Sequence, residues 1–307
     1  MGRPVPSCSK CAELAVTFLR YSGAHLCKAH FLRFFEKRAK QAVHDQGRLP
    51  KGTIAVALSG GKDSVSALHF LHKLTANRPD VDLVAVSVDE GIDGYRDSAL
   101  DICKELTDQL NVPWHVVSVK ELGGYTIDEY SEKADGRAPC GPCGVFRRMG
   151  MNQVARDLGC AAIATGHNLD DTAQTILMNV LKGDTDRLAR LAPHNVNQRV
   201  EGLVPRMIPF RTIPEKEVLL YAILNDLPLH HEAECPYAAR AQRFMLRDML
   251  LELEGRTPGT RHSLLRFHDR VKPLLMEDLG VIPVQACPKC GEPTSSERCK
   301  ACDWKVL

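Results

Sequence analysis

No stretch of this 307-residue chain is apolar for long enough to cross a bilayer, and its first ten residues lack the apolar h-region of a secretory signal. These absences predict a cytoplasmic protein with no membrane attachment. An excess of one charge is missing too: 40 Lys and Arg against 38 Asp and Glu leave a formal net of +2, so affinity for a nucleic acid has to come from local basic patches. The 22 Gly and 18 Pro are too few and too scattered for a collagen-like or low-complexity chain. What remains, 44% hydrophobic and 25% charged, is an ordinary globular composition with enough length for one large domain, or a medium domain carrying small modules.

Five apolar, β-branched runs stand out. Thr53 to Leu58, Val81 to Val88, Pro113 to Val119 and Cys160 to Thr165 read as buried strands, with Arg206 to Phe210 a weaker fifth. Helical spacing links Val65, Leu68, Leu71 and Leu74, then Ala99, Ile102, Leu106 and Leu110, then Val145, Met149, Val154 and Leu158, then Leu169, Ala173, Ile176, Val180 and Leu181. Strands alternating with helices predict an α/β fold with a parallel, doubly wound sheet, which binds ligands beyond the carboxyl ends of its strands. Changes of character place boundaries near residues 49, 213 and 285. Between residues 240 and 273, Arg240, Arg243, Arg247, Arg256, Arg261, Arg266, Arg270 and Lys272 outnumber the acids, which makes this stretch either a nucleic-acid face or a solvated helix surface.

Twelve cysteines in a cytoplasmic chain point to metal or redox chemistry rather than disulfides. At the C-terminus, Cys287 and Cys290 form one two-residue knuckle and Cys299 and Cys302 another, the arrangement of a closed four-thiolate zinc site. A segment this short has no core of its own, so the metal supplies its folding energy. At the N-terminus, Cys8, Cys11, Cys27 and His30 give three thiolates and an imidazole with zinc-finger spacing; His25 is the competing ligand, but its offset from Cys27 makes a poorer chelate.

The loop after the first strand of the sheet reads Ser59-Gly60-Gly61-Lys62-Asp63-Ser64 and runs straight into a helix. Paired glycines let the backbone approach a polyanion, a helix N-terminus offers free N–H groups, Lys62 adds charge, and Ser59 and Ser64 add hydroxyls. Neither GxxxxGKS/T nor GxGxxG occurs, so the cradle is not of the Walker or Rossmann type. SGGKDS resembles the PP-loop of the ATP pyrophosphatases, which split ATP between its α and β phosphates and adenylate an oxygen to make it a leaving group. That resemblance implies that Ala57, Ser59, Gly60, Gly61, Lys62, Asp63 and Ser64 hold ATP. Gly166-His167-Asn168-Leu169-Asp170-Asp171 resembles the GHNxDD element of PP-loop enzymes that modify tRNA: Gly166 would let the adenylate approach, and Asp171 would orient it or hold Mg2+. The bland alternative makes Asp170 and Asp171 acids that favour a helix dipole.

Cys140-Gly141-Pro142-Cys143 and the later Cys235 complete the inventory. CGPC also occurs in thioredoxin-like enzymes, but there it opens a helix in a different, smaller fold. Three thiolates near an ATP site suggest a 4Fe-4S cluster with one iron left free to bind sulfide. With a zinc module at each end, the chain from Cys8 to Cys302 resembles the tRNA 2-thiouridine synthetases of the TtuA/NcsA type. The resemblance implies a cluster on Cys140, Cys143 and Cys235, with Lys62 and Asp171 also in the catalytic machinery, two zinc sites, and tRNA and a sulfur donor as partners, the donor a thiocarboxylated ubiquitin-like protein or sulfide. It further implies a homodimer divided into a zinc finger with a basic helix (1–49), an ATP-binding domain (50–213), a helical tRNA-facing region (214–285) and a zinc ribbon (286–307). Where some members of the family carry a Lys near the ATP phosphates, this chain has Arg147, which keeps the charge and changes the contact geometry. Cys103 and Cys160 are left as packing residues. The wobble uridine is preferred over the T-loop uridine because the composition is not rich in ion-pairing residues. Lysidine or 2-thiocytidine synthesis, and thiolation through a persulfide, are the alternatives.

Overall fold

The computed structural model describes residues 5–133, 139–194, 200–229, 235–237, 242–280 and 284–305. In chain order its elements are β1 (Thr17–Leu19), β2 (Ala24–Leu26), α1 (Lys28–Asp45), β3 (Gly52–Ala57), α2 (Lys62–Thr75), β4 (Val81–Asp89), α3 (Arg96–Leu110), β5 (Trp114–Ser118), α4 (Val119–Gly123), α5 (Ile127–Lys133), α6 (Cys140–Asp157), β6 (Ala162–Ala164), α7 (Leu169–Leu181), α8 (Thr185–Ala189), β7 (Arg206–Met207), α9 (Glu215–Leu224), α10 (Gln242–Arg256), α11 (Thr260–Leu279), β8 (Gln285–Ala286), β9 (Pro293–Thr294) and α12 (Lys300–Trp304).

Strands β3 to β7 form one parallel sheet in the order β5-β4-β3-β6-β7. The apolar runs of β3, β4 and β6 are buried by helices on both faces, which is why they read as continuous hydrophobic stretches, whereas β5, at the edge of the sheet, is not the buried strand expected: none of Trp114–Ser118 is buried and Val116 is 47% exposed. The winding reverses between β3 and β6, and the carboxyl ends of those two strands open the crevice where such sheets take their ligands. The fifth strand is shorter than the expected run to Phe210: Arg206 and Met207 pair with β6, and past Pro209, which offers no N–H to a ladder, Phe210 returns only as an isolated parallel bridge to Asn168.

The flanking segments are packed into this sheet. Phe31 and Phe35 of α1 share one core with Ile54 of β3, Phe210 and Tyr221 of α9, and the Phe35 and Tyr221 rings stack at 4.2 Å, so the core runs across residues 49 and 213. Tyr21 beside the first hairpin donates to Glu217 of α9 at 2.7 Å, and Arg38 pairs with the other oxygen at 2.9 Å. At the opposite end, Cys287, Cys299 and Cys302 pack with Phe146 of α6, and a Cβ at Gly141 would stand 3.4 Å from the Trp304 ring. The Cys-rich tail therefore sits on the start of the CGPC helix. Cys103 and Cys160 are buried.

The basic run from residue 240 to 273 does not form one solvated face. Arg261 is half-buried between Asp170 and Glu254, and Lys272 donates to the carbonyls of Leu191 and Pro193, whereas Arg243, Arg266 and Arg270 are exposed; Arg240 lies outside the described residues. No helix among the described residues is long and apolar enough to cross a membrane.

Candidate nucleotide and thiolation site

The cradle hangs from the carboxyl end of β3. Gly60 takes φ +84°, and a Cβ on it would lie 2.4 Å from the Ala99 carbonyl oxygen, so both backbone conformation and the close approach of α3 require glycine. Gly61 is the N-cap of α2 and provides no side-chain cap, which leaves the first N–H groups of the helix for an anion. Ser64 Oγ donates to the Gly61 carbonyl at 2.9 Å and accepts from Ser59 N at 3.0 Å, closing the loop; the Ser59 hydroxyl donates to it at 3.1 Å.

Lys62 Nζ lies 3.0 Å from Asp63 and 2.7 Å from Glu215. Burial works to lower its pKa but is outweighed by these two carboxylates, so its pKa lies above the ordinary lysine value. Asp63 is pushed up to about 6, chiefly by burial, with Lys62 pulling it down and Asp171 pushing it further up. Two carboxylates from different segments, Asp63 and Glu215, thus hold the lysine that follows the glycine pair.

The loop after β6 meets this cradle. A Cβ on Gly166 would fall 2.6 Å from the Asp63 carbonyl carbon and oxygen and 2.8 Å from Ser64 N, and Asn168 donates to Asp63 Oδ1 at 3.2 Å. Asn168 and Asp171 form a capping box on α7, with bonds of 3.1 and 3.2 Å. The two acids thereby separate: Asp170 is buried, accepting from Glu215 N at 2.8 Å and pairing with Arg261, while Asp171 faces the cleft, 3.8 Å from Arg243. Asp171 is thus part of the helix cap, as the helix-end reading has it, while Asp170 is taken up by Glu215 N and Arg261.

The cysteine helix is tied to the same loop. Arg96 donates to the Ser59 carbonyl at 2.8 Å and pairs with Glu90 at 2.9 Å, and the other Glu90 oxygen lies 3.5 Å from Arg147 on α6. Glu90 and Arg96 are buried. Sequence reading passed over both, although an acid just past the carboxyl end of a buried strand is a usable signal; Glu215, far away in sequence, offered none. Cys140 is exposed at the start of α6, and Cys143 and Cys235 are half-buried in one apolar cluster. Burial pushes the Cys143 thiol up to about 11, against the pull of Arg147, with Cys235 and Cys140 adding to the rise. Burial also raises Cys235, and Cys140 contributes to that rise. The three thiols therefore share one electrostatic neighbourhood.

Each terminal set closes more tightly. Around one tetrahedral zinc, with Zn–S near 2.3 Å and Zn–N near 2.0 Å, S···S edges come to about 3.8 Å and S···N edges to about 3.5 Å. His30 Nδ1 lies 3.5, 3.4 and 3.3 Å from the sulfurs of Cys8, Cys11 and Cys27, and Cys11 and Cys27 are 3.7 Å apart. In the tail the Cys287–Cys302 and Cys290–Cys299 separations are 3.9 and 3.4 Å. His25 stacks on Phe18 instead, ring centroids 4.4 Å apart. Among the described residues only these two sets bring three or more ligand atoms within 4.8 Å of one another. The central cysteines do not, and thiolates on separate irons of a cluster have no need to converge on one point.

Residues 7–32 match the 2-thiouridine synthetase TtuA N-terminal LIM domain, and residues 32–253 match the PP-loop domain family. The chain is 39% identical to the tRNA 2-thiolation protein NcsA of Haloferax volcanii, over 96% of this chain and 97% of that one. It is 37% identical to cytoplasmic tRNA 2-thiolation protein 1 of Drosophila ananassae, over 97% of this chain and 87% of the relative. The U34-tRNA thiolase NcsA of Methanococcus maripaludis, solved with its 4Fe-4S cluster, has the same fold at a TM-score of 0.83 and 30% identity, over 98% of this chain and 95% of that one. A cradle at the topological switch, a cysteine helix braced against it and matches over nearly the whole length agree: the chain belongs to the PP-loop family of tRNA 2-thiolation proteins, the sulfurtransferases of the NcsA type.

Proposed function

We propose that this chain uses ATP to adenylate the C2 oxygen of the wobble uridine of tRNA and replaces that oxygen with sulfur. The observation that carries this reading is the link Ser59–Arg96–Glu90–Arg147, buried at Arg96 and Glu90 and reaching the exposed Arg147 at 3.5 Å, which ties the CGPC helix to the loop of residues 59–64 and supports a single cleft for both half-reactions. The wobble position is supported by the M. maripaludis relative, whose name specifies U34.

Each step has residues suited to it. The α2 N-terminus, Gly60, Gly61 and the Ser59 and Ser64 hydroxyls receive the β and γ phosphates, and Lys62, released from Asp63 and Glu215, neutralises the pyrophosphate as it leaves. Gly166 leaves room for the adenylate, and Asp171, facing the cradle, holds Mg2+ or orients the nucleotide. Attack by the C2 oxygen on the α phosphate expels pyrophosphate; attack by sulfur at C2 then expels AMP, whose phosphate is a far better leaving group than the original oxygen. Arg147, braced by Glu90, adds positive charge between the two centres.

Cys140, Cys143 and Cys235 would hold a 4Fe-4S cluster, and that group, when bound, would supply the means of presenting a sulfur nucleophile to the cleft. Two zinc ions, on Cys8, Cys11, Cys27 and His30 and on Cys287, Cys290, Cys299 and Cys302, are structural, since both shells are closed. The sulfur comes from a thiocarboxylated ubiquitin-like protein or from sulfide, and the protein works in the cytoplasm as a homodimer.

Cys235→Ala, purified and reconstituted without oxygen, should lose iron and thiolation together while keeping ATP binding. Iron analysis, calorimetry with ATP and mass spectrometry of the tRNA nucleosides read the three properties. A wild-type protein that is free of iron yet fully active would transfer the assignment to a persulfide on one of these cysteines.

A further inference from the structure

The first turn of α6 carries two of the three central cysteines on a sequence poorly suited to a helix. Cys140-Gly141-Pro142-Cys143-Gly144 places two glycines in five residues, Pro139 at the N-cap gives no side-chain hydrogen bond, and the turn has no acid to complement the helix dipole. Cys140 and Cys143, three residues apart, lie on one side of this turn, and position 141 faces the other. Packing therefore has to hold the turn. Phe146, fully buried and stacked on Tyr130 with ring centroids 5.5 Å apart, fixes the helix one turn further on. At the first turn itself, a Cβ on Gly141 would stand 3.4 Å from Trp304 Cζ2, in van der Waals contact.

Trp304 belongs to the Cys-rich tail. It ends α12, whose N-cap is Cys299, the sulfur of which accepts from Cys302 N at 3.4 Å. Both cysteines are members of the C-terminal four-thiolate set, so a metal held there organises the turn that carries the Trp304 ring. The tail has a second footing at the far end of α6. Glu292, whose carbonyl accepts from Cys287 N at 2.9 Å, pairs through its side chain with Arg156 at 2.7 Å. Beside it, Pro293 closes on Gly202, where a Cβ would meet Pro293 Cγ at 2.6 Å, and the Gly202 carbonyl accepts from Asn152 Nδ2 at 2.8 Å. Positions 141 and 156 lie about 22 Å apart along the helix axis, so the tail grips α6 near both ends.

We infer that the C-terminal zinc tail is a clamp on α6 and that Trp304 is a positioning residue, supporting the first turn from behind so that Cys140 and Cys143 are presented together to an iron–sulfur cluster; this rests on the cluster reading above. Zinc in the tail and iron at the centre then favour one another. A tail without metal has no core to hold α12, Trp304 leaves position 141, and the glycine-rich turn frays with both thiols on it. Because coupling between two binding sites is reciprocal, a bound cluster also tightens the tail's hold on zinc. The N-terminal shell stands apart from this device: Cys8 and Cys27 share the core of Phe31 and Phe35 on α1, not that of Phe146 on α6.

The test combines hydrogen exchange on the zinc-loaded, iron-free protein with anaerobic release of iron to a chelator from the reconstituted protein. Trp304→Ala should keep the zinc of both shells and its affinity for ATP, while the amides of residues 143–148 exchange about tenfold faster and iron leaves about tenfold faster. Trp304→Phe, which keeps an aromatic face at position 141, should restore most of both. Cys290→Ser, which opens the tail shell, should release iron at least as fast as Trp304→Ala; Cys11→Ser, which opens the N-terminal shell, should release it at the wild-type rate. Wild-type exchange and iron release in Trp304→Ala overturn the inference. Equal acceleration by Cys11→Ser and Cys290→Ser overturns it too, since loss of either zinc would then act through the whole fold. A wild-type protein that takes up no iron refutes the cluster reading and this coupling together, whereas a wild type that holds iron and a Trp304→Ala variant that holds it as firmly refute the coupling alone.

Discussion

Three glycines of the nucleotide site should respond to alanine in an order set by what a Cβ would meet. At Gly60 the new methyl would stand 2.4 Å from the Ala99 carbonyl oxygen, on backbone at φ +84°. Left-handed strain of about 1 to 2 kcal/mol adds to an overpacking cost of about 1 to 3 kcal/mol, so the variant should lose roughly 2 to 5 kcal/mol. At Gly166 the clash is with the backbone of Asp63 and Ser64 at 2.6 and 2.8 Å, with no side chain able to turn away. The loss there is the overpacking cost alone, about 1 to 3 kcal/mol, and the relief moves the GHN loop away from the cradle, so ATP affinity should fall as well. At Gly61 the nearest heavy atom is Ser59 Oγ at 3.7 Å, and φ is −76°. That substitution should change stability by less than about 1 kcal/mol, a weaker N-cap being offset by a stiffer unfolded chain. Thermal melts of the ATP-free protein, at roughly 2 to 4 °C per kcal/mol, resolve the series, and calorimetry with ATP reads the second effect. Wild-type melting and ATP affinity in Gly166→Ala, or a larger melting loss in Gly61→Ala than in Gly60→Ala, would refute the reasoning.

Lys62→Ala should reduce ATP-dependent thiolation by about a hundredfold or more while the fold persists, because it removes the charge that meets departing pyrophosphate; equal tRNA-dependent pyrophosphate release by mutant and wild type would contradict this. Cys290→Ser opens the C-terminal shell, so zinc should fall from two to one per chain and the melting point should drop; an unchanged zinc content by metal analysis would show that the site is misassigned. Asp63 supplies a pH dependence. Its folded pKa, about 6, lies above its unfolded value, so the folded state binds the extra proton and this group's contribution to stability falls as pH rises from about 4 to 6. Asp63→Asn should therefore gain stability relative to wild type across that window, by on the order of 2 kcal/mol, in denaturant titrations at pH 4 and pH 7.5; a difference that does not vary with pH would refute the assignment.

Local chemistry explains which parts of this architecture could be read in advance. Val81 to Val88 is legible as a strand because a parallel sheet buries both faces and leaves a continuous apolar run, and the observed strand spans Val81–Asp89. The expected strand to Phe210 shrinks to Arg206–Met207, since a lone apolar pattern carries no information on which backbone groups find a partner. The two terminal cysteine sets could be read because each chelate is built from knuckles two residues apart, and the structure gathers His30 rather than His25 into the first of them. The basic run 240–273 is a surface signal in part: Arg243, Arg256, Arg266 and Arg270 are exposed, but Arg261 and Lys272 are spent on carboxylate and carbonyl partners that come from α7 and from residues 191–193.

The sequence alone determined the alternation of strands and helices, the phosphate-binding chemistry of Ser59 to Ser64, the four-ligand knuckles at either end and the family to which these motifs point, because each is written in contiguous residues or in short, fixed spacings. Tertiary structure decided the rest. It chose the order β5-β4-β3-β6-β7, which puts the loops after β3 and β6 side by side, and it assigned Asp171 to the cleft and Asp170 to Arg261. It also supplied Glu215 to Lys62 and joined Ser59 to Arg147 through Arg96 and Glu90. The physical reason is the range of the interactions: caps, knuckles and periodic apolar faces act over a few residues of chain, whereas a charge finds its partner, or fails to, only after segments a hundred or more residues apart have packed together.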